Sequence, residues 1–114
     1  IQNSKILIMG LSFKKDCKDL RNSKVFDLAR ILNHSRAIVE IYDPLINQSE
    51  VDIDHSFSLV EEPKNEYYDV IILAVDHSIF CSMPVSEVKK FGIDEAIVFD
   101  VKSIFPIQDT DDRL

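Results

Sequence analysis

Four runs of apolar residues recur along the chain at intervals that suit a layered α/β domain. They lie at 5–10 (KILIMG), 37–42 (AIVEIY), 69–75 (DVIILAV) and 96–101 (AIVFDV). Each run is short and nearly continuous in its apolar character, which is typical of strands that are buried on both faces of a parallel sheet. The pattern therefore predicts four strands, the last of them at 96–101.

The longest segment between these runs has helical periodicity. Residues 23–34 predict a helix, because apolar side chains recur there on one stripe, and Ser23 or Asn22 is placed to cap its amino end. The residues of the stripe are Val25, Leu28, Ala29 and Leu32. This helix would connect the first two strands.

The later connections predict shorter elements. We expect a short strand at 51–54, a short helix at 56–62 that Pro63 ends, and two more short helices at 77–83 and 85–91. Strands that alternate with helices indicate βαβ units with right-handed crossovers.

The predicted fold is α/β, a Rossmann-like three-layer αβα sandwich with a mainly parallel sheet. We expect one domain, residues 1–114, in which 107–114 form a loose acidic tail. The sequence opens on Ile1 without a methionine, and we expect it to be a fragment of a longer protein.

Composition narrows the class of partners. The formal net charge is −7, which argues against nonspecific binding of nucleic acid or of an anionic membrane surface. No apolar run approaches the roughly 18 residues of a membrane span. The two cysteines form neither a disulfide framework nor a metal spacing, so we expect a cytoplasmic protein.

One stretch reverses the sign of the charge. Residues 10–24 (GLSFKKDCKDLRNSK) carry five Lys or Arg against two Asp, a local excess of three positive charges. The stretch follows the first predicted strand. It predicts either a specific anion site or a solvated charged loop.

In open parallel sheets, ligands bind outside the carboxyl ends of the strands. The loop that follows the first predicted strand differs from the usual dinucleotide-binding loop. The G-x-G-x-x-G fingerprint requires glycine where Ser12 and Lys15 stand, so only Gly10 remains. Asp43 follows the second strand, at the position of the carboxylate that holds a ribose in Rossmann domains. Without the glycines, we do not expect this domain to bind NAD in the Rossmann manner.

The side chains that follow the strands instead fit a nucleotide diphosphate. Phe13 offers a ring that packs against a base or sugar, and Lys14 beside it offers an ammonium for a phosphate. Lys102, after the last predicted strand, converges on the same crevice. Arg21 is placed for a second anion, which a guanidinium binds in bidentate fashion. We therefore predict a nucleotide site with these four residues.

Two other chemistries have candidate residues. Cys17 is a potential nucleophile with His77 as its base, but nothing in the sequence orients the pair. His77 and Cys81 have the i, i+4 spacing of helical ligands, yet two ligands do not make a zinc site. His34 and His55 are expected at the surface. We predict no catalytic residue and no metal ligand.

The charged stretch also belongs to a longer pattern, F-K-x-D-x-x-D-x-R-x-S. It resembles the signature that opens the C-terminal domain of the UDP-glucose/GDP-mannose dehydrogenase family. The matching residues are Phe13, Lys14, Asp16, Asp19, Arg21 and Ser23. The resemblance continues through 42–44 (YDP), through 69–77 with Ala74 and His77, and through 98–102 (VFDVK). It covers essentially the whole chain.

The resemblance implies an activity for the longer protein. Enzymes of this family oxidise the C6 alcohol of a nucleotide sugar to a carboxylate in two NAD-dependent steps. They join an N-terminal domain that binds most of the NAD, a central helical dimerisation region, and a C-terminal domain that holds the substrate nucleotide. The implied partners are therefore a UDP-sugar, the other two domains of the polypeptide, and a second subunit in a homodimer or larger assembly.

The resemblance also implies roles for single residues. Phe13 and Lys14 would contact the UDP-sugar, and Arg21 would reach toward NAD on the other domain. Lys102 stands where the family often has an arginine on the nucleotide, so the charge is kept and the bidentate geometry is not. Neither Cys17 nor a second cysteine matches the family's nucleophile, which lies outside this chain, so the chain alone is not expected to catalyse the reaction.

The residues of two motifs indicate a substrate class. D-C-x-D-L-R-N-S-K and F-D-V-K are similar to the branch of the family that oxidises UDP-N-acetylhexosamines for surface polysaccharides. Two alternatives stay open. A receiver-like or flavodoxin-like signalling module has a similar length, but a receiver needs an acidic pair after its first strand, where 9–11 offer none. A structural domain without a working nucleotide site is compatible with Lys102.

Overall fold

The computed structural model describes residues 3–12, 14–20, 23–51, 56–106, 110 and 112–113. Its sheet has six parallel strands in the order β3-β2-β1-β4-β5-β6. They are β1 (Lys5–Met9), β2 (Ile38–Tyr42), β3 (Ser58–Val60), β4 (Tyr68–Leu73), β5 (Gly92–Asp100) and β6 (Asp112–Arg113). The strand order reverses between β1 and β4, and a crevice for ligands opens at the carboxyl ends of such a pair.

Helices cover the two faces of this sheet, as the αβα prediction requires. Helix α1 (Val25–His34) packs on one face, and the short helices α2 (Ser78–Cys81) and α3 (Val85–Lys89) pack on the other. A single turn of 3-10 helix, Gln48–Glu50, follows β2. Among the described residues, no helix is both long and apolar enough to cross a membrane.

The central strand explains the continuous apolar run of the sequence. Ile6 and Ile8 face the core under α1, whereas Leu7 and Met9 face the core under α2 and α3. Because successive side chains of a strand point to opposite faces, burial on both sides removes the polar alternation. The predicted strands at 5–10, 37–42, 69–75 and 96–101 and the helix at 23–34 are confirmed within a few residues.

The predicted helix at 56–62 is wrong. Ser58–Val60 form β3, which pairs with β2 so that Leu59 lies opposite Ile41. Phe57 and Leu59 alternate onto the core beneath α1, so the strand period rather than a helical stripe buries them. The strand predicted at 51–54 lies almost wholly outside the described residues.

The last part of the sheet differs from the expected strand at 96–101. β5 begins at Gly92, and its register against β4 shifts between Tyr68↔Gly92 and Val70↔Ile97. Five residue steps of β5 therefore span two steps of β4, which indicates a bulge. Beyond it, within the segment predicted as a loose tail, Asp112–Arg113 pair with β5 as β6.

Tyr68, at the start of β4, leads to a prediction about alkaline stability. Its hydroxyl donates to Glu40 at 2.6 Å and accepts the backbone N–H of Lys64 at 3.2 Å. Burial first, and then the bond to Glu40, raise the pKa of Tyr68 above its usual value. The unfolded tyrosine ionises near pH 10, so the stabilisation is complete below that pH and is lost as the pH rises further.

We expect Tyr68→Phe to lower the free energy of unfolding by about 1 kcal/mol at pH 7, because one buried hydrogen bond is lost. The difference from the parent chain should shrink between pH 9 and pH 11, since phenylalanine does not ionise. Urea unfolding across this range measures it, with Tyr67→Phe as the control. A difference that stays constant with pH would contradict the expectation.

Candidate functional site

The carboxyl edge of the sheet holds the buried polar groups. Among the described residues, four polar or charged ones are buried, and all lie in or beside the loops that follow β1, β2, β4 and β5: Ser12, Asp43, His77 and Asp100. A buried polar group is stable only when it is hydrogen-bonded. The partners of these four residues therefore define the shape of the loops.

Asp43 holds the first loop. Its Oδ2 accepts the backbone N–H of Leu11 at 2.8 Å and of Ser12 at 3.3 Å, and its Oδ1 accepts the N–H of Leu45 at 3.0 Å. His77 Nε2 lies 2.9 Å from the same Oδ2. The carboxylate is thus occupied by the protein itself, so Asp43 has a structural role at the position where Rossmann domains carry the ribose carboxylate.

Gly10 makes the tight exit from β1. Its φ is +106°, and its N–H donates to the carbonyl of Tyr42 at 2.8 Å. A Cβ at this position would lie 2.5 Å from the Cβ of Val75, so the chain following β4 passes directly against it. Glycine here therefore permits a close approach of two chain segments.

The far end of the loop is tied to α2. The Asp16 carboxylate accepts the backbone N–H of Ser78 at 2.7 Å and its hydroxyl at 2.5 Å. The hydroxyl bond, followed by the backbone bond, lowers the pKa of Asp16 below its usual value. The backbone N–H of Asp16 donates to His77 Nδ1 at 2.8 Å. Residues 10–16, called the nucleotide loop below, are therefore attached at both ends.

Asp100 shapes the turn after β5. Its two carboxylate oxygens accept the backbone N–H groups of Ile104 and Phe105, each at 2.9 Å. The turn also contains Ser103 at a φ of +56°, a left-handed conformation that the two bonds help to maintain. Lys102 lies exposed in this turn.

A groove of about 700 Å³ runs beside α1 over β4 and β5, and we call it the β4–β5 groove. Four polar residues from two different loops line it: Ser12, Ser23 and Lys24 from the connection between β1 and α1, and Lys102 from the turn after β5. Its other walls are apolar, formed by Val25, Leu28, Ile72, Ala74, Val75, Phe99 and Val101. Apolar walls with a few polar groups are the usual make-up of a small-molecule site.

Two of the four predicted site residues, Lys14 and Lys102, lie within the described part of the structure. Lys102 lines the β4–β5 groove, while Lys14 is exposed on the nucleotide loop, where its carbonyl accepts the Ser12 hydroxyl at 3.1 Å. Phe13 and Arg21 lie outside the described residues. Their proposed contacts therefore remain predictions.

Neither alternative chemistry of the sequence has the required geometry. Both ring nitrogens of His77 are bonded, to Asp43 and to Asp16, so the ring is not available as a base for Cys17. Cys17 Sγ instead accepts the N–H of Asp19 at 3.3 Å, and Cys81 Sγ contacts the carbonyl of Asp76 at 3.5 Å. No group of three metal-ligating side chains occurs within the part of the chain that the structure describes.

Sequence reasoning missed Lys24 and the supporting role of Asp100. Lys24 was only one of five cations in the charged stretch, but its place immediately before α1 brings it to the groove. The neighbouring Ser23 was the signal in the sequence that could have indicated this position of Lys24. Its hydroxyl donates to the carbonyl of Leu11 at 2.6 Å and accepts the N–H of Val25 at 3.2 Å, so it joins the start of α1 to the nucleotide loop.

Comparisons with known proteins show the family of the chain. A family model described as the UDP-glucose/GDP-mannose dehydrogenase family, UDP binding domain, matches residues 7–107. The chain is 34% identical over 114 residues to the UDP-N-acetyl-D-glucosamine 6-dehydrogenase of Salmonella typhi. It is 35% identical, again over 114 residues, to the enzyme of the same name from Pseudomonas aeruginosa.

These matches cover all of this chain but 27% of each of the two relatives. A solved structure of the UDP-N-acetyl-mannosamine dehydrogenase from S. aureus superposes with a TM-score of 0.69 at 26% sequence identity. That superposition covers 99% of this chain and 26% of the other. The chain thus spans about a quarter of the length of the proteins that it matches.

Proposed function

The chain belongs to the UDP-glucose/GDP-mannose dehydrogenase family, as its UDP-binding domain, and on this premise we propose that the UDP part of a UDP-sugar binds between the nucleotide loop and the mouth of the β4–β5 groove. Lys14 and Lys102 would contact it from the two sides. The sugar would extend away from the sheet, toward the rest of the longer protein.

One observation carries this proposal. Lys24 and Lys102 are far apart in sequence, yet both line one groove together with Ser12, in a chain whose net charge is −7. Ammonium groups there would neutralise a diphosphate, while the apolar walls suit the face of a base. The alternative of a solvated charged loop does not explain why two lysines from separate loops line the same apolar groove.

NAD does not fit this chain in the Rossmann manner. Ser12 and Lys15 occupy the glycine positions of the fingerprint, and the Asp43 carboxylate already accepts three backbone N–H groups. The cofactor of the proposed reaction would therefore be held mainly by another domain. Arg21, by family resemblance, would reach toward it.

For the longer protein we propose oxidation of the sugar C6 alcohol to a carboxylate with two NAD, on a UDP-N-acetylhexosamine. The motifs D-C-x-D-L-R-N-S-K and F-D-V-K and the names of the two curated relatives support this substrate class. Within the reaction, this chain would bind and orient the nucleotide. Formation of two NADH per UDP-N-acetylglucosamine, against UDP-glucose as the comparison, tests the assignment in the full-length protein.

The site itself is tested by calorimetric titration of the 114-residue chain with UDP, with GDP and NAD as comparisons. We expect UDP to bind and the other two to give little heat. Lys14→Ala and Lys102→Ala should each weaken UDP binding by about 1–3 kcal/mol, because each removes a charge-assisted hydrogen bond.

Lys89→Ala is the matched control, since Lys89 is an exposed lysine at the carboxyl end of α3 and does not line this groove. Equal affinity of the Lys14 and Lys102 variants and the parent would refute the assignment of these residues. If UDP does not bind to the 114-residue chain, titration of the full-length protein decides between a site that needs the other domains, where UDP binds, and a structural domain without a working site, where it does not.

A further inference from the structure

A single buried ring is bonded to the nucleotide loop and to the residue that follows β2. His77 is 0% exposed, its Nε2 lies 2.9 Å from Asp43 Oδ2, and its Nδ1 lies 2.8 Å from the backbone nitrogen of Asp16. A backbone N–H can only donate, so Nδ1 must accept and carry no proton. A carboxylate can only accept, so Nε2 must carry the proton.

We propose that His77 is a positioning residue of the nucleotide site, held as the neutral imidazole with its proton on Nε2. It would fix the nucleotide loop in the conformation that presents Lys14. The proposal rests on the proposed function for its ligand, but the state of the ring does not depend on any ligand.

The surroundings of the ring support one fixed orientation. Asp43 faces it from the end of β2, Ser12 and Asp16 face it from the nucleotide loop, and the Phe80 ring of α2 lies 5.5 Å away between centroids. The Asp16 carboxylate is directed to Ser78 instead. A flipped ring would set Cδ2 against the Asp16 N–H and Cε1 against the Asp43 carboxylate, so both hydrogen bonds would be lost.

Two successive hydrogen bonds connect the His77 ring to Lys14, the predicted contact residue. His77 Nε2 lies 3.2 Å from the Ser12 hydroxyl, and that hydroxyl donates to the carbonyl of Lys14. At the other end of the loop, Asp16 has a φ of +53°. A non-glycine residue is strained in this conformation. Its N–H donates to His77 and its carboxylate accepts two bonds from Ser78, and these bonds hold it there.

The state of the ring is tested first in the parent chain. Long-range ¹H–¹⁵N correlation spectra should show a protonated Nε2 and an unprotonated Nδ1 at neutral pH. Amide hydrogen exchange should show protection at Asp16, whose N–H donates to the ring. A protonated Nδ1, or an Asp16 amide that exchanges as fast as those of exposed loops, would overturn the proposal.

Two substitutions then separate the two bonds. Asn at position 77 offers a carbonyl near the place of Nδ1, and Gln offers an amide N–H near the place of Nε2. We expect Asp16 protection to be largely kept in His77→Asn and lost in His77→Gln. UDP affinity should fall about tenfold in His77→Gln, roughly the effect of one lost buried hydrogen bond, and His77→Asn should restore part of it.

His34→Asn is the control, because His34 is an exposed histidine. Thermal unfolding of each variant separates positioning from general stability. A purely structural role would lower the unfolding temperature of both variants to a similar extent and leave their UDP affinity unchanged, and that result would refute the proposal. Failure of the parent chain to bind UDP would count against the proposed function alone, while the spectra and the exchange would still decide the state of the ring.

Discussion

Asp43→Ala is expected to lower the free energy of unfolding by about 3–5 kcal/mol, the largest effect of any substitution at the site. It removes the acceptor of three backbone N–H groups, those of Leu11, Ser12 and Leu45, and of the ring of His77. Each buried donor left without a partner costs about 1–3 kcal/mol, and water entering the space recovers part of that cost. Since domains unfold with about 5–15 kcal/mol, the variant loses a large share.

Urea unfolding at pH 7 measures this effect. Asp94→Ala is the matched control, because it deletes the same charge from an exposed position of β5 and should change stability by about 0.5 kcal/mol at most. Asp43→Asn should lie between the two, as one acceptor oxygen remains. A loss for Asp43→Ala no larger than that of the control would show that the loop does not depend on this carboxylate.

Gly10→Ala is expected to destabilise the chain by about 4 kcal/mol. Left-handed backbone strain contributes about 1–3 kcal/mol, and overpacking contributes about 1–3 kcal/mol more. The new Cβ would lie 2.5 Å from the Cβ and 2.7 Å from the Cγ2 of Val75. The backbone nitrogen of Val75 would also lie 3.0 Å from the new Cβ, so a change of the Val75 side-chain rotamer alone cannot relieve the overlap.

A double-mutant cycle separates strain from overpacking. In a Val75→Gly background the overlapping atoms are absent, so Gly10→Ala should cost less there by the overpacking share, about 1–3 kcal/mol. The strain share should remain in both backgrounds. An equal cost of Gly10→Ala in the two backgrounds would show that the close contact with Val75 does not limit this position.

The strands and the main helix were predictable because their buried positions produce a clear periodicity of apolar residues in the sequence. Where an element is only partly buried, this periodicity is weak and the element is not predicted. β3 has three residues at the edge of the ordered sheet, and its apolar positions, Phe57 and Leu59, are only partly buried. The first part of β5 carries exposed residues at 93–95, because a bulge rather than a regular ladder joins it to β4, so it has no strand signature.

The loops that form the candidate site and their positive charge were predictable, but the contacts that support these loops were not. The ends of parallel strands place the loops, and the excess of lysines marks one of them. The functions of Asp43 and His77, however, depend on which atoms they meet after folding. An aspartate after a strand looks the same in the sequence whether its carboxylate binds a ribose or accepts three backbone N–H groups. Only the three-dimensional contacts distinguish the two roles.

Buried acceptors hold the loops at this edge, while the lysines predicted to recognise the ligand project outside them. The bonds made by Asp43, Asp100 and His77 go to the main chain, to one another or to the buried Ser12 hydroxyl, and so do not depend on the identity of the exposed side chains at positions 14, 15 and 102. A selection for a different nucleotide can therefore randomise these three positions without removing any acceptor that maintains the loops. Ligand preference and folding are then separately evolvable in this domain.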